Sequence, residues 1–205
     1  MNKAFFIACS NLYNMKTRNT YLFFLSIFSF FILSFTHSKR TFKEDSHFAR
    51  RINKSSSGDN PYYIIISKKT YELKVYDDQG WYATYPCVFG SNDLRDKFME
   101  GDKRTPEGQF KIILKKNDSK WKFEMLLDYP DQNSYKKFNE RKAEGIIPKK
   151  ARIGGGIAIH ATRPQEEWTV DYYQNWTDGC VSLKYSEAAD LYSYIPVGTP
   201  VTIEK

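Results

Sequence analysis

Two side chains in this sequence are of a kind that could act together as nucleophile and base. Cys180 stands at the end of the turn Trp176-Thr177-Asp178-Gly179, directly before Val181-Ser182-Leu183. His160 ends the apolar run GGIAIH, with sixteen residues between it and Thr177, and is the sole histidine after residue 60. A thiolate attacks, whereas a thiol does not, and a free cysteine with a pKa of about 8.5 needs a base or cation nearby. An imidazole in reach takes the proton and can return it to a leaving amine, worth about 10² to 10⁴ in rate. Gly179 leaves the backbone uncrowded, so the N–H groups of Gly179 and Cys180 can point at a developing oxyanion. Spacing alone leaves two other readings open. Cys180 is equally a spare core residue, or one half of a disulfide with Cys87 in an oxidising compartment. No CxxC and no Cys/His cluster has metal-ligand spacing, so no metal site is expected.

The elements that must carry this pair are mostly strands. YYIIIS (62–67) and YELKVY (71–76) flank the turn Lys68-Lys69-Thr70, and Tyr71, Leu73 and Val75 alternate with polar residues as a half-buried strand does. DDQG (77–80) is a turn, WYATYPCVFG (81–90) a third strand, and the charged stretch 91–105 a loop. TPEGQFKIILK (105–115) supplies a turn and a fourth strand, and WKFEMLLDY (121–129) a fifth. Ser134 is placed to cap a helix, YKKFNERKAE, that Gly145 ends. GGIAIH (155–160) is a buried strand. Ser186 is placed to cap EAADLYSYI, whose Ala188, Leu191 and Ile195 form one apolar stripe before Pro196. Pro200-Val201-Thr202-Ile203 closes the chain as a strand. The expected fold is mostly β with two short helices, a sandwich or a curled mixed sheet.

These segments, in order, resemble the L,D-transpeptidase catalytic domain, also called the YkuD domain. The resemblance rests on His160, the spacer and the Thr177-Asp178-Gly179-Cys180 box. It also rests on the opening β-hairpin, GDKRTPEGQF (101–110), DYP (128–130) and IGGGIAIHA (153–161). It covers residues 61–205. It implies a β-sandwich-like mixed-sheet fold and an exported enzyme acting on peptidoglycan stem peptides. Cys180 would attack the carbonyl of the third stem residue and expel the terminal D-amino acid, leaving a thioester. An amine from a neighbouring stem would then give a 3→3 crosslink, and water would give a carboxypeptidase. His160 would be base and then acid, the N–H groups of Gly179 and Cys180 the oxyanion hole, with no metal or cofactor. Thr177, Asp178, Gly156 and Ala161 would support the pair.

Three departures from the family pattern stand out. Asp178 replaces the box histidine, Ala161 follows the base where many members have Gly, and Ser182-Leu183 stands where many have Arg or Asn. Asp178 either orients His160 or caps its own turn, and the turn is favoured. Cys87, in YPCVF, reads as a small core residue. Gly154 to Gly156 either admit substrate to the backbone or mark a bulge. Lys149, Lys150 and Arg152 read as a solvated basic edge. A hydrolase on the same scaffold and a non-catalytic wall-binding module are the competing functions.

The N-terminal third is read separately. Residues 21–35, YLFFLSIFSFFILSF, hold twelve apolar residues and no charge, between Lys3, Lys16, Arg18 and the pair Lys39-Arg40. As a helix they would span about 22 Å, short of a bilayer core of about 30 Å. That pattern is a secretory signal or membrane anchor over residues 1–36, with Met15 as a candidate start, followed by a polar linker over 37–60. The expected location is the periplasm or cell envelope, with membrane contact only through this segment. The formal net charge is +7, and beyond the signal 28 Lys and Arg face 24 Asp and Glu, a mildly basic balance of about +4. That is no nucleic-acid footprint.

Overall fold

The computed structural model describes residues 60–117, 119 and 122–205. The expected signal or anchor (1–36) and nearly all of the expected linker (37–60) lie outside the described residues. Among those described, no helix is long and apolar enough to cross a membrane.

Eight strands run β1 (Tyr63–Ser67), β2 (Glu72–Asp77), β3 (Gly80–Pro86), β4 (Gly108–Lys116), β5 (Glu124–Leu127), β6 (Ala158–Ala161), β7 (Val181–Leu183) and β8 (Pro200–Glu204). Among the described residues three helices are interspersed: α1 (Gln132–Ala143), α2 (Trp168–Asp171) and α3 (Tyr185–Tyr194). The spatial order is β3-β2-β1-β8-β4-β5-β6-β7. The β1–β8 and β6–β7 pairs are parallel and the other pairs antiparallel. Strand β4 joins the two halves. Its first residues, Gly108 to Lys111, pair with β8, and Ile112 onward pairs with β5, across an irregularity between Ile112 and Leu114. A bulge of this kind bends a strand and strengthens its twist.

The sheet curls until its ends nearly meet. Val88, just past β3, bridges Ser182 on β7, with Val88 N–H donating to Ser182 O at 2.9 Å and Ser182 N–H to Val88 O at 2.8 Å. This closure is the curled mixed sheet expected from the sequence, and it brings the chain after β3 against the cysteine turn.

Period-2 patterning decides what lies inside. Leu73 and Val75 of β2 are buried, as are Ile64 and Ile66 of β1, Met125 and Leu127 of β5, and Val201 and Ile203 of β8. Each such side chain contributes on the order of 1.5–3 kcal/mol by leaving water. Ala188, Leu191 and Ile195, the stripe at α3, are all buried in the same core. Cys87 is fully buried and unpaired, so the core reading stands and the disulfide does not form.

Two capping expectations change. Helix α1 starts earlier than Ser134, because Asp131 is its N-cap and accepts from Ser134 N–H at 2.7 Å and Ser134 Oγ–H at 2.6 Å. A carboxylate at the helix start also complements the exposed N–H groups there better than a hydroxyl does. Helix α3 has Lys184 at its N-cap, without a side-chain bond, and Ser186 N–H is capped instead by Glu167 Oε1 at 3.3 Å. Helix α2 and a 3₁₀ turn at Pro164–Glu166 have no periodic signal, and both lie in the connection between His160 and Cys180. Lys68, in the turn after β1, is buried, with its ammonium on Glu107 Oε1 at 2.7 Å and on the carbonyls of Arg95 and Thr105.

Candidate active site

Parallel pairing of β6 and β7 brings the two reactive residues together. Their register sets Ile159 beside Val181 and His160 beside Ser182. Cys180 lies one residue before β7, at the level of Ala158. Its Sγ accepts from the Ala158 N–H, and its S–H points at Gly156 O, 3.5 Å away. The sulfur is thus held beside β6 at Ala158, two residues before His160 on the same strand. The sixteen residues between His160 and Thr177 include the 3₁₀ turn and α2, whose Trp168 is half-exposed and is followed by the exposed Tyr172 and Tyr173.

His160 is buried, with 4% of its surface exposed. Its Nδ1 lies 2.9 Å from Ala161 O. A carbonyl only accepts, so Nδ1 carries the proton and Nε2 is the basic nitrogen, the arrangement a general base needs. The Trp176 ring packs edge-on against the imidazole, at 5.7 Å between centroids and 79° between planes. Trp176 and Thr177 both donate their N–H to Phe89 O, at 2.9 and 3.2 Å, while Phe89 N–H donates to Asn175 Oδ1 at 2.7 Å. Sheet closure at Val88 therefore fastens the segment that carries both the turn and the ring against the histidine.

Within the turn, Thr177 is the cap. Its Oγ–H donates to Cys180 O at 2.7 Å, and it accepts from Gly179 N–H at 3.2 Å. Two expectations are corrected here. The Gly179 N–H, expected to face an oxyanion with that of Cys180, already has Thr177 Oγ1 as acceptor. Asp178 neither orients His160 nor caps the turn, because its side chain is 92% exposed and reaches only toward Lys103 Nζ at 3.8 Å. Flanked by a threonine that closes the turn from within, a side chain at 178 is directed outward.

Glycines at this site act for different reasons. Gly156 has φ +71° with open space around a would-be Cβ, so it is needed for conformation. Gly90 has no such φ, yet a Cβ there would lie 2.1 Å from Lys103 O, 2.5 Å from Gly179 N and 2.9 Å from Gly179 Cα. Backbone meets backbone at that point. Nothing in the sequence around Gly90 marks it, because the partner that demands a glycine is distant in the chain.

Burial pushes the Cys180 thiol above its ordinary pKa, opposed by the Ala158 N–H. Glu124 and Asp178 add to the upward push, and Lys97 opposes it. A thiol held neutral in this way reacts only with a base to take its proton, which is the part an imidazole on the adjacent strand can play. Among the described residues no group of His, Cys, Asp and Glu is placed to hold a metal ion.

The charged stretch 91–105, expected as a loop, is one, but it is built around two carboxylates largely withdrawn from solvent. Asp96 accepts from Arg141, Lys137 and the Glu107 N–H, and Asp102 from Lys97 and three backbone N–H groups. Phe98 lies between the guanidinium groups of Arg104 and Arg141, at 4.5 and 4.2 Å. Arg152 is exposed with Glu100 3.3 Å away, as a solvated edge would be.

Similarity to known proteins agrees with this geometry. The profile of the YkuD family, the L,D-transpeptidase catalytic domain, matches residues 61–203. A Bacillus subtilis (strain 168) protein named as a candidate L,D-transpeptidase, YqjB, is 29% identical over 154 residues, covering 71% of this chain and 75% of that protein. The helical cell shape determining protein Pgp2 of Campylobacter jejuni shares the fold. One structure of it aligns with a TM-score of 0.51 at 20% identity, over 80% of this chain and 55% of Pgp2. A K307A mutant structure gives 0.53 at 22%, over 72% and 48%. The chain thus spans about half the length of these solved structures. With the profile covering residues 61–203, Cys180 and His160 included, the chain belongs to the L,D-transpeptidase catalytic domain (YkuD) family.

Proposed function

We propose that this domain is a cysteine acyltransferase working on peptidoglycan stem peptides. The observation that carries the reading is the seating of Cys180 Sγ on Ala158 N–H and Gly156 O, beside a histidine whose tautomer Ala161 O fixes. The thiol proton passes to His160 Nε2 as Sγ attacks the carbonyl of the third stem residue. The tetrahedral oxyanion is met by the Cys180 N–H, with the Gly179 N–H contributing only as its 3.2 Å bond to Thr177 Oγ1 opens. Collapse breaks the amide bond, and His160 hands its proton to the departing amine of the terminal D-residue. A thioester remains on Cys180. An amine of a second stem then attacks, restoring the thiol and forming a 3→3 amide; a D-amino acid as acceptor exchanges the terminal residue instead.

Export would place the domain at its substrate, and the apolar segment 21–35 supports that location. The test is incubation of the purified protein with a disaccharide tetrapeptide and mass analysis. Crosslinked dimer is the expected product. Tripeptide alone would make the enzyme a hydrolase, and unchanged substrate would remove the catalytic reading. A Cys180→Ala variant that retained turnover would overturn the nucleophile assignment.

A further inference from the structure

One buried carboxylate outside the pair gathers an unusual number of donors. Asp102 Oδ1 accepts from Lys97 Nζ at 2.7 Å and from Arg104 N–H at 3.0 Å; Oδ2 accepts from Phe98 N–H at 2.6 Å and Met99 N–H at 3.1 Å. Both partners of the Lys97–Asp102 ion pair are buried, at 4% and 8% side-chain exposure. Charge-assisted bonds to three backbone N–H groups over seven residues fix the shape of the loop 98–104 outright.

What that loop touches gives its shape a consequence. On one side, Glu100 N–H donates to Arg152 O at 2.8 Å, and Glu100 Cα lies 3.3 Å from where a Gly154 Cβ would be. Two residues further on is Gly156, whose carbonyl receives the Cys180 S–H. On the other side, the Arg104 carbonyl lies 2.9 Å from where a Gly179 Cβ would be, and the Lys103 carbonyl packs on Gly90 beside Gly179 N. The loop is therefore wedged between the backbone that precedes the sulfur's acceptor and the turn that carries the sulfur.

We propose that Asp102 is a positioning residue for Cys180: it fixes the 98–104 loop, and through it the separation between the Gly156 carbonyl and the Gly179–Cys180 turn. The carboxylate touches neither substrate nor sulfur. Its effect reaches the reaction through placement, and misplacement by about 1 Å can cost about 10² in rate. Asp102 and Lys97 also act as a neutralised pair. The sulfur already feels Lys97, just before this loop, which opposes the upward push on its thiol, and Glu124 of β5 and Asp178 of its own turn, which add to it, with His160 on the adjacent β6; loss of the Asp102 carboxylate leaves the Lys97 charge less neutralised there.

The idea rests on the cysteine-acyltransferase reading, and two readouts keep the two separable. The first is alkylation of Cys180 by iodoacetamide across pH, followed by intact mass, which needs no substrate. The second is tetrapeptide turnover. In Asp102→Asn, Oδ1 or Oδ2 becomes an NH₂ facing two donors, and the loop loses that anchor. At a temperature where circular dichroism shows the variant folded, kcat is expected to fall about 100-fold with KM within about threefold. The alkylation midpoint is expected to move to lower pH, because the Lys97 ammonium is left unneutralised. Folded Asp102→Asn with wild-type kcat and wild-type alkylation profile would overturn the proposal, whatever its melting temperature. Should that variant not fold, Asp102→Glu keeps the charge opposite Lys97 and displaces the carboxylate by one methylene. Wild-type kcat and alkylation in folded Asp102→Glu would overturn it equally. A wild-type protein whose Cys180 alkylates but which leaves every stem peptide unchanged would sink the function and leave the positioning testable by alkylation alone.

Discussion

Gly90→Ala is the sharpest test of how the site is held, because its effect follows from distances. The added methyl would lie 2.1 Å from Lys103 O, so that carbonyl must retreat by about 1.3 Å to reach the 3.4 Å at which ordinary contact begins. Gly179 N, at 2.5 Å, must retreat by about 0.9 Å. Neither atom belongs to a flexible side chain. Phe89 is held by Asn175 and by the N–H groups of Trp176 and Thr177, so residue 90 has little room to back away. Overpacking a tight site costs about 1–3 kcal/mol, and backbone-on-backbone contact puts this one at the upper end. A turn displaced by nearly 1 Å should also lose about 10²-fold in turnover, since Cys180 follows Gly179 directly. Urea unfolding reads the first quantity and tetrapeptide turnover at saturating substrate reads the second. Gly155→Ala is the control: it has no positive φ, and the nearest atom to its Cβ is Pro130 Cδ at 3.6 Å, so stability and turnover should hardly change. A Gly90→Ala protein with unaltered stability and unaltered kcat would refute the claim that the closed sheet edge seats the nucleophile.

Further predictions concern protons and caps. Because burial raises the Cys180 thiol, its alkylation rate should climb through a midpoint above the ordinary thiol value, and His160→Gln should cut turnover by about 10² to 10⁴ while alkylation at high pH survives. Thr177→Val removes the hydroxyl that joins Cys180 O to Gly179 N–H and should cost about 1–2 kcal/mol in urea unfolding, with Thr177→Ser restoring most of it. Glu187 has a buried Oε2 without a hydrogen bond, and burial holds its pKa above the ordinary value. A raised carboxyl favours the protonated native state, so its contribution falls as pH rises from about 4.3 through the native value. Glu187→Gln should therefore raise the melting temperature at pH 7 and change it little at pH 4, and a lower melting temperature at pH 7 would contradict the reasoning.

Much of the architecture was legible because burial follows period. Alternation in 71–76 located β2, and Ala188, Leu191 and Ile195 gave the inner stripe at α3, since each is set by residues two to four apart. Capping was less legible. Asp131 and Ser134 both qualify chemically, and Asp131 is the cap because its carboxylate accepts from both the N–H and the hydroxyl of Ser134. The short α2 had no apolar period to show itself. Nothing in the turn at Lys68 shows that it is buried, because its partners, Glu107 and two carbonyls, come from a loop far along the chain.

The same division runs through the site. Residue type and order singled out Cys180, His160 and the glycine turn as candidates, because a thiol, an imidazole and a crowding-free backbone are intrinsic chemical properties, and the resemblance to the L,D-transpeptidase domain favoured the nucleophile reading over the core and disulfide readings. What each neighbour does was decided by tertiary structure. Asp178 points to solvent because Thr177 already closes the turn. Ala161 matters through its carbonyl, which any residue would supply, and Gly90 through a backbone contact with a turn that closure of the sheet brings to it. Hydrogen bonds to main-chain atoms and close backbone packing leave no mark on side-chain identity, except where they forbid a Cβ. The sequence therefore carries the reagents, and the closed sheet with its Asp102 loop decides where they stand.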